Sequence, residues 1–334
     1  MRPSDAPGSS AVSAPGSGSP SAGAPGPNAP AADAHPMYLP PLRVPIRSIG
    51  ARTFDFSRRV AVMAVVNRTP DSFFDQGSTF ALDRAVAASF EAVARGADWV
   101  DIGGAPFAPG APIPVDEEAD RVVPVIAELR AGSDVVISVD TFHAEVARRA
   151  IRAGATVIND TTGLSDPGLL PVVADSEATL VLTHSLARPR TPYPRPQYED
   201  IAAEVAAFLA DRVERALAAG IPEERLIVDP GHDLNKNTLH SLELTRRLSV
   251  IADLGYPTLA AVSNKDFIGE TLDAPRAERL EGSLAAAVVS IVNGARIIRM
   301  HDVAASVAAA RMTEAILGLR EPAHLRHNMG DVND

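Results

Sequence analysis

The sequence lacks several features, and each absence excludes a class of protein. None of its 334 residues is Cys, which excludes disulfides and cysteine-ligated zinc and fits a reducing cytoplasm. The net charge is −11 and no Lys/Arg run is long enough to suggest contact with a phosphate backbone, which argues against nucleic acid as a partner. No apolar stretch approaches the length of a membrane span. We therefore expect a cytoplasmic protein that binds neither nucleic acid nor membrane.

Aromatic residues are also scarce, at 4%, whereas hydrophobic residues reach 46%, so Val, Ile, Leu and Ala must build the core. Residues 1–37 are mostly Pro, Ala, Gly and Ser. Such a segment cannot bury apolar area and is predicted to be a disordered tail. Residues 38–325 are predicted to form one globular domain, followed by a short C-terminal tail at 326–334. Within the domain, residues 42–57 predict a hairpin that closes one end of the fold.

The domain alternates between two kinds of segment. Short apolar runs typical of buried parallel strands lie at 60–66, 99–103, 135–139, 156–158, 179–183, 226–228, 258–262 and 295–299. Amphipathic helical segments lie at 82–95, 116–129, 144–153, 166–174, 198–219, 238–252, 280–292 and 303–317. Eight of each predict an α/β fold, a (β/α)8 TIM barrel. The alternative is a doubly wound open sheet, but no Gly-x-Gly-x-x-Gly follows the first strand.

Polar side chains follow directly after each predicted strand. The groups are Asn67 to Phe73, Asp101 to Gly104, Asp140-Thr141, Asn159-Asp160, Thr183-His184-Ser185, Asp229 to His232, Ser263-Asn264-Lys265 and Arg299 to Asp302. Each group alone is explained equally well by a helix cap or a turn. In a barrel, however, the C-terminal ends of all strands converge on one face, where active sites lie. Eight such groups at the same structural position therefore favour a shared cavity.

The residue types in these groups indicate a class of ligand. Asp and Asn side chains offer acceptors and donors that match the edge of an amidine-like heterocycle. Lys265, Arg299 and His301 add cationic or donor groups suited to an anion such as a phosphate. No Ser or Cys nucleophile is indicated, and the His residues do not have the spacing of a metal cluster. The sequence thus predicts one site for a flat polar ring and an anionic group.

Read in order, these segments resemble the dihydropteroate synthase family over roughly residues 60–317. The matching motifs are Asn67-x-Thr69-Pro70-Asp71-Ser72-Phe73, Asp101-Ile102-Gly103-Gly104, Ser138-Val139-Asp140-Thr141, Asn159-Asp160, Asp229-Pro230-Gly231, Ser263-x-Lys265 and Arg299-x-His301-Asp302. In such enzymes p-aminobenzoate attacks a pterin that is losing its pyrophosphate. The resemblance implies that Asp140, Asn159, Asp229 and Lys265 bind the pterin. It also implies pyrophosphate at Arg299 and His301, Mg²⁺ near Asn67, and a homodimer formed by outer-wall helices.

The second motif departs from the family. Glu-Ser-Thr/Ser-Arg-Pro-Gly usually follows its two glycines, but residues 105–110 read Ala-Pro-Phe-Ala-Pro-Gly, so Ala105 and Ala108 stand where a carboxylate and a guanidinium are usual. Arg68 replaces a usual Val, and Asp266 replaces a usual Arg. An acid beside an anion site weakens anion binding, unless Asp266 points away or pairs with Arg68. Residues 232–236 read His-Asp-Leu-Asn-Lys where Gly-Phe-Gly-Lys is usual.

These changes predict a pterin-binding homologue with weak or no synthase activity. Such a chain resembles the divergent second copies of the enzyme that are familiar in actinobacteria, whose genomes suit its Ala- and Arg-rich composition. One alternative is an active synthase that condenses 6-hydroxymethyl-7,8-dihydropterin pyrophosphate with p-aminobenzoate in folate biosynthesis. A third hypothesis is a pterin-binding methyltransferase that uses a reduced folate. The third ranks last, because such an enzyme does not need the anion group formed by Lys265, Arg299 and His301.

Overall fold

The barrel predicted from the sequence is present in a computed structural model, which describes residues 39–67, 77–192 and 195–327. Eight parallel strands form a closed ring. They are β3 (Ala61–Asn67), β4 (Trp99–Gly103), β5 (Val136–Asp140), β6 (Val157–Asp160), β7 (Thr179–Thr183), β8 (Leu226–Asp229), β9 (Thr258–Ala260) and β10 (Ala295–Met300). Their order around the ring is β10-β3-β4-β5-β6-β7-β8-β9. Met63 closes the ring by pairing with Trp99 on one side and Arg299 on the other. The (β/α)8 prediction is therefore confirmed.

Helices cover the outside of the ring. They are α1 (Gly77–Ala94), α2 (Val115–Gly132), α3 (Ala144–Ala153), α4 (Leu169–Ala174), α5 (Ile201–Ala218), α6 (Thr238–Arg246), α7 (Ser249–Ala252), α8 (Asp266–Leu272), α9 (Leu280–Val292) and α10 (Val303–Ile316). In the described part of the chain, no helix is long and apolar enough to cross a membrane. The predicted tail at 1–37 lies outside the described residues, as does most of the tail at 326–334.

Two helices differ from the prediction. The segment expected as one helix at 238–252 is divided into α6 and α7, because the chain turns at Arg247 and buries Leu248 in the core. Helix α8 was not predicted. Its first amides donate to the Asp233 carboxylate, at 2.6 Å from the nitrogen of Asp266 and 3.3 Å from that of Phe267. A cap supplied by another loop leaves no local signal in the sequence.

The hairpin predicted at 42–57 is also present. Strands β1 (Ile46–Ile49) and β2 (Arg52–Asp55) pair antiparallel. The ring of Phe54 stacks on Phe56 with centroids 5.6 Å apart and meets Trp99 edge-on at 5.8 Å. These apolar rings close the N-terminal end of the barrel and bury the bottom of its interior.

The barrel interior has an apolar layer below a polar layer. The apolar layer consists of Ala61, Met63, Trp99, Val136, Val157, Val181, Ile227, Leu259 and Ile297. Side chains alternate along a strand, so residues two apart share a face. In six strands, the residue two positions after the apolar one is polar. These residues are Asp101, Ser138, Asn159, Thr183, Asp229 and Arg299. The polar groups therefore lie directly on the core, at the C-terminal ends of the strands.

Candidate functional site

The pterin residues expected from the sequence line one cavity above the apolar layer. Its volume is about 90 Å³, and Asp140, Asn159, Asp229, Lys265 and Arg299 all line it. Its remaining wall includes Phe107, Phe142, Thr161, Pro189, His232 and Leu234. We call this space the ring cavity. Five residues from five different strand ends thus converge as the sequence predicted.

A buried ion-pair network forms the floor of the ring cavity. The carboxylate of Asp101 is fully buried and accepts from Nε of Arg299 at 2.6 Å and from Nδ2 of Asn159 at 3.2 Å. Arg299 also lies 3.5 Å from the Asp140 carboxylate. The other oxygen of Asp101 and Oδ1 of Asn159 have no partner among the described residues. Asp101 lies beneath the ring cavity and orients Arg299 and Asn159, which line it, and no role was expected for Asp101 from the sequence.

Burial changes the ionisation of the carboxyl groups. It raises the pKa of Asp140 to about 7, with repulsion from Asp101 adding to the rise and Arg299 opposing it. Burial likewise raises the pKa of Asp229 to about 6. The amide of Gly231, which donates to this carboxyl group at 2.7 Å, opposes the rise. Ligand N–H donors would favour the ionised carboxylates. The floor is therefore suited to a ring whose edge offers several N–H groups.

A larger and more open cavity of about 590 Å³ adjoins the ring cavity and shares Asp140, Lys265 and Arg299 with it. Asn67, Ser263, Arg276 and His301 also line it, and we call it the anion cavity. Nδ1 of His301 lies 2.9 Å from Oγ of Ser263. Burial and the nearby cations Arg299 and Arg276 lower the pKa of His301 to about 4.

Among the described residues, three guanidinium or ammonium groups line the anion cavity. The sequence predicted Lys265 and Arg299 there but missed Arg276, which lies on a short 3₁₀ turn, Arg276–Glu278, after α8. No strand-end pattern marks such a residue. The arrangement is suited to a phosphate or another anion attached to the ring.

Asn67 is at the end of β3 and lines the anion cavity. Its Oδ1 would lie 2.9 Å from a Cβ placed on Gly103, so the missing side chain of Gly103 leaves room for it. No group of three or more His, Asp or Glu positioned for a metal exists among the described residues. Mg²⁺ in such sites takes few protein oxygens and several from phosphate and water. The single amide oxygen of Asn67 in the anion cavity fits that mode of binding.

The altered loop after β4 is held in place by Arg190. The amide of Arg190 donates to the carbonyl of Phe107 at 3.1 Å, and the amide of Gly110 donates to the carbonyl of Arg190 at 3.2 Å. The guanidinium donates to the carbonyls of Ala108 at 2.8 Å and Ala111 at 3.0 Å. Phe107 and Pro189 from the two linked loops line the ring cavity. The loop thus covers the site with methyl, ring and main-chain atoms.

Asp266 points away from the anion cavity. Its side chain is 86% exposed and lies 3.1 Å from the guanidinium of Arg279. Asp266 is therefore not placed to repel an anion in this cavity. Arg68, its other possible partner from the sequence, lies outside the described residues.

The loops after β7 and β8 are joined by buried polar contacts. Nζ of Lys236 lies 2.8 Å from Nδ1 of His184 and 3.0 Å from the carbonyl of Leu234. Oδ1 of Asn235 accepts from the amides of Leu186 at 2.7 Å and Ala187 at 2.9 Å. These contacts fix the segment that brings His232 and Leu234 to the ring cavity.

A closed barrel with a polar ring cavity beside a cationic cavity is typical of barrels that bind a heterocycle carrying an anionic group. Comparison with known families agrees with this class, because the model of the pterin binding enzymes matches residues 63–301. The chain belongs to this family. The resemblance stated from the motifs is thereby confirmed, and the chain is a dihydropteroate synthase homologue.

The relatives include both altered and ordinary members. "Inactive dihydropteroate synthase 2" of Mycobacterium leprae is 45% identical over 79% of this chain and 93% of that protein. Dihydropteroate synthase of Escherichia coli is 40% identical over 78% of this chain and 93% of its own length. The solved dihydropteroate synthase of Xanthomonas albilineans with 4-aminobenzoic acid has a TM-score of 0.76 at 41% identity, covering 81% and 98% of the two chains.

Proposed function

We propose that this protein binds a pterin in the ring cavity and has weak or no dihydropteroate synthase activity. Two observations support the proposal, one for each half. The polar network of Asp140, Arg299, Asp101 and Asn159 is formed, and Asp140, Arg299 and Asn159 line the ring cavity. The loop that covers it has Ala105 and Ala108 where the family has a carboxylate and a guanidinium.

Asp140, Asn159 and Asp229 would receive and donate the hydrogen bonds of the pterin edge. Burial raises the pKa of the Asp140 and Asp229 carboxyl groups, so N–H donors of a ligand would recover part of the desolvation cost. Lys265 borders both cavities and would bond the ring on the side nearest the anion.

Arg299 and His301 would hold a pyrophosphate or another anion, with Arg276 as a further cation. If a phosphate is present, Asn67 would supply one oxygen to a Mg²⁺ that takes its other ligands from phosphate and water. The metal would then neutralise charge on the departing phosphate. The guanidinium of Arg299 is already committed to Asp101, so it is held in one orientation.

The loss of activity follows from what the covering loop offers. Its side chains near the ring cavity supply no acid, base or cation, and its carbonyls at Phe107, Ala108 and Ala111 accept from Arg190. Removing one group that acts in the transition state costs roughly a hundredfold in rate. The joint absence of a carboxylate and a guanidinium therefore predicts turnover far below that of an ordinary synthase. The relative named as inactive supports the same proposal.

The alternative function is an active synthase. The observation in its favour is that both cavities keep their polar residues and that the Escherichia coli enzyme is 40% identical. No observation favours the methyltransferase hypothesis over the other two. The cations that line the anion cavity would have no role in such an enzyme.

The deciding experiment is synthase turnover with the pterin pyrophosphate and p-aminobenzoate, together with rescue of a strain lacking its own synthase. We expect no rescue and a rate at least a hundredfold below that of an ordinary family member. A variant with Ala105→Glu, Pro106→Ser, Phe107→Thr and Ala108→Arg restores the usual loop and should raise the rate. Asp83→Ala, on the exposed part of α1, is the control. Rescue by the wild-type chain would refute the loss of activity.

We include a homodimer in the proposal, with a groove between α6, α8 and α9 as its interface. The groove has a volume of about 400 Å³ and is lined by apolar side chains that include Leu242, Ile268 and Ala286. Leu272 and Val289 lie at its edge with 53% and 44% of their surfaces exposed. Such a face favours a second copy of this chain, as family membership suggests.

Light scattering should give twice the chain mass, and Leu272→Glu with Val289→Glu should give a monomer, whereas Met312→Glu on α10 should not. A monomeric wild type would remove the dimer from the proposal. The cytoplasmic location expected from the sequence stays a prediction.

A further inference from the structure

His232 lines the ring cavity, and its two ring nitrogens have no partner in the part of the chain that the structure describes. The residue is fully buried, and neither Nδ1 nor Nε2 bonds any of the described residues. Buried polar atoms in folded proteins are almost always bonded, because leaving them unpaired forfeits their hydration. The imidazole therefore needs a partner that the described residues do not supply.

The imidazole is neutral in this environment. Burial lowers the pKa of His232 to about 3, and the nearby ammonium groups of Lys236 and Lys265 lower it further. A neutral imidazole has one N–H donor and one nitrogen acceptor. It suits a polar atom of an uncharged ring, and it does not act as another cation for the anion cavity.

The segment that carries His232 departs from the family pattern. After Asp229-Pro230-Gly231 this chain has His232 and Asp233 in a region that usually reads Gly-Phe-Gly-Lys. The His232 ring stacks on Phe267, with centroids 6.1 Å apart and planes at 28°. This wall of the ring cavity therefore has an aromatic ring that also carries hydrogen-bonding atoms.

We propose that His232 makes a direct hydrogen bond to the ligand of the ring cavity and acts as a specificity-determining residue. This inference rests on the proposed pterin binding and adds one chemical requirement to it. The ligand is a flat heteroaromatic ring that carries a polar atom on the side of the Gly231–Leu234 wall, in addition to those bonded by Asp140 and Asn159.

Calorimetric titration with 6-hydroxymethylpterin tests this inference in the wild type and in His232→Phe, which keeps an aromatic ring but removes both nitrogens. We expect the variant to bind about 5- to 150-fold more weakly, which corresponds to about 1–3 kcal/mol for a lost buried hydrogen bond. His324→Phe, at an exposed position, is the matched control and should bind like the wild type.

The outcomes separate the two proposals. If the wild type does not bind the pterin, the proposed function fails and this inference fails with it. If the wild type binds the pterin and His232→Phe binds it equally well or more tightly, pterin binding stands and the hydrogen bond from His232 is refuted. An ordered water bonded to the imidazole would give this result.

A second measurement decides the matter if His232→Phe does not fold. In the wild type, one imidazole ¹⁵N resonance of His232 should shift on saturation with the pterin, because a new hydrogen bond changes the shielding of that nitrogen. A purely structural histidine would not respond. Unchanged ¹⁵N resonances at saturation would overturn the inference.

Discussion

Replacing Arg190 with alanine removes the side chain that holds the altered loop over the ring cavity. The guanidinium donates to the carbonyls of Ala108 and Ala111 at 2.8 and 3.0 Å, and both bonds vanish in the variant. The two main-chain bonds of Arg190, with Phe107 and Gly110, do not require its side chain. Arg190→Ala should therefore loosen the cover without unfolding the barrel.

The expected size follows from those two bonds. Hydrogen bonds from charged donors contribute about 1.5–3 kcal/mol when buried, but the partial exposure of Arg190 lowers this to ~1 kcal/mol each. Opening of the loop should become easier by ~2 kcal/mol, which is about 30-fold in the population of the open state. The amide of Gly110, which donates across the two loops, reports this opening directly.

Hydrogen exchange at Gly110 is the assay. We expect about 30-fold faster exchange in Arg190→Ala and unchanged exchange in the barrel strands. Arg188→Ala is the matched control, since Arg188 is on the same loop but donates to the carbonyl of Ser165 at 3.0 Å. Exchange at Gly110 within twofold of the wild type would refute the conclusion that Arg190 holds the loop.

Three further variants test the site and its supports. Arg299→Ala should lower the free energy of unfolding by about 3–5 kcal/mol, because it leaves the buried carboxylate of Asp101 without its cation; a loss below ~1 kcal/mol in urea melts would contradict this. Gly231→Ala should lower the melting temperature far more than Gly220→Ala, since φ is positive at both (68° and 91°) but only at Gly231 does a Cβ collide with a backbone carbonyl; equal melting temperatures would contradict this. Burial raises the pKa of Asp229 to about 6, above ~3.9 in the unfolded chain, so Asp229 stabilises the native state less as the pH rises from about 4 to 6. Asp229→Asn should remove this fall of up to ~1.4 kcal/mol per pH unit, and parallel unfolding profiles of variant and wild type would contradict it.

The barrel and its central residues were predictable from the sequence for a physical reason. A parallel barrel fixes where strands end, so Asp140, Asn159 and Asp229 could be placed together before their distances were known. The same periodicity places Asp101 two residues beyond Trp99 on the inner face of β4. Its bond to Arg299 depends on side-chain directions across the barrel, which no sequence pattern gives.

The parts that could not be predicted depend on contacts between loops. Arg190 bonds main-chain carbonyls, and any residue type supplies those, so its role has no signature. Helix α8 begins where Asp233 from another loop caps it, and Arg276 reaches the anion cavity from an irregular turn. The direction of Asp266 likewise depends on Arg279, thirteen residues away in the chain.

The central claim is that the pterin pocket is retained although the loop over it has changed. Calorimetric titration of the wild type and Asp140→Ala with 6-hydroxymethylpterin tests this claim most directly. We predict saturable binding to the wild type at one site per chain and none to the variant, whose floor lacks a carboxylate that Arg299 and the ligand share. Absence of binding to the wild type at millimolar ligand, or equal binding to both proteins, would contradict the claim.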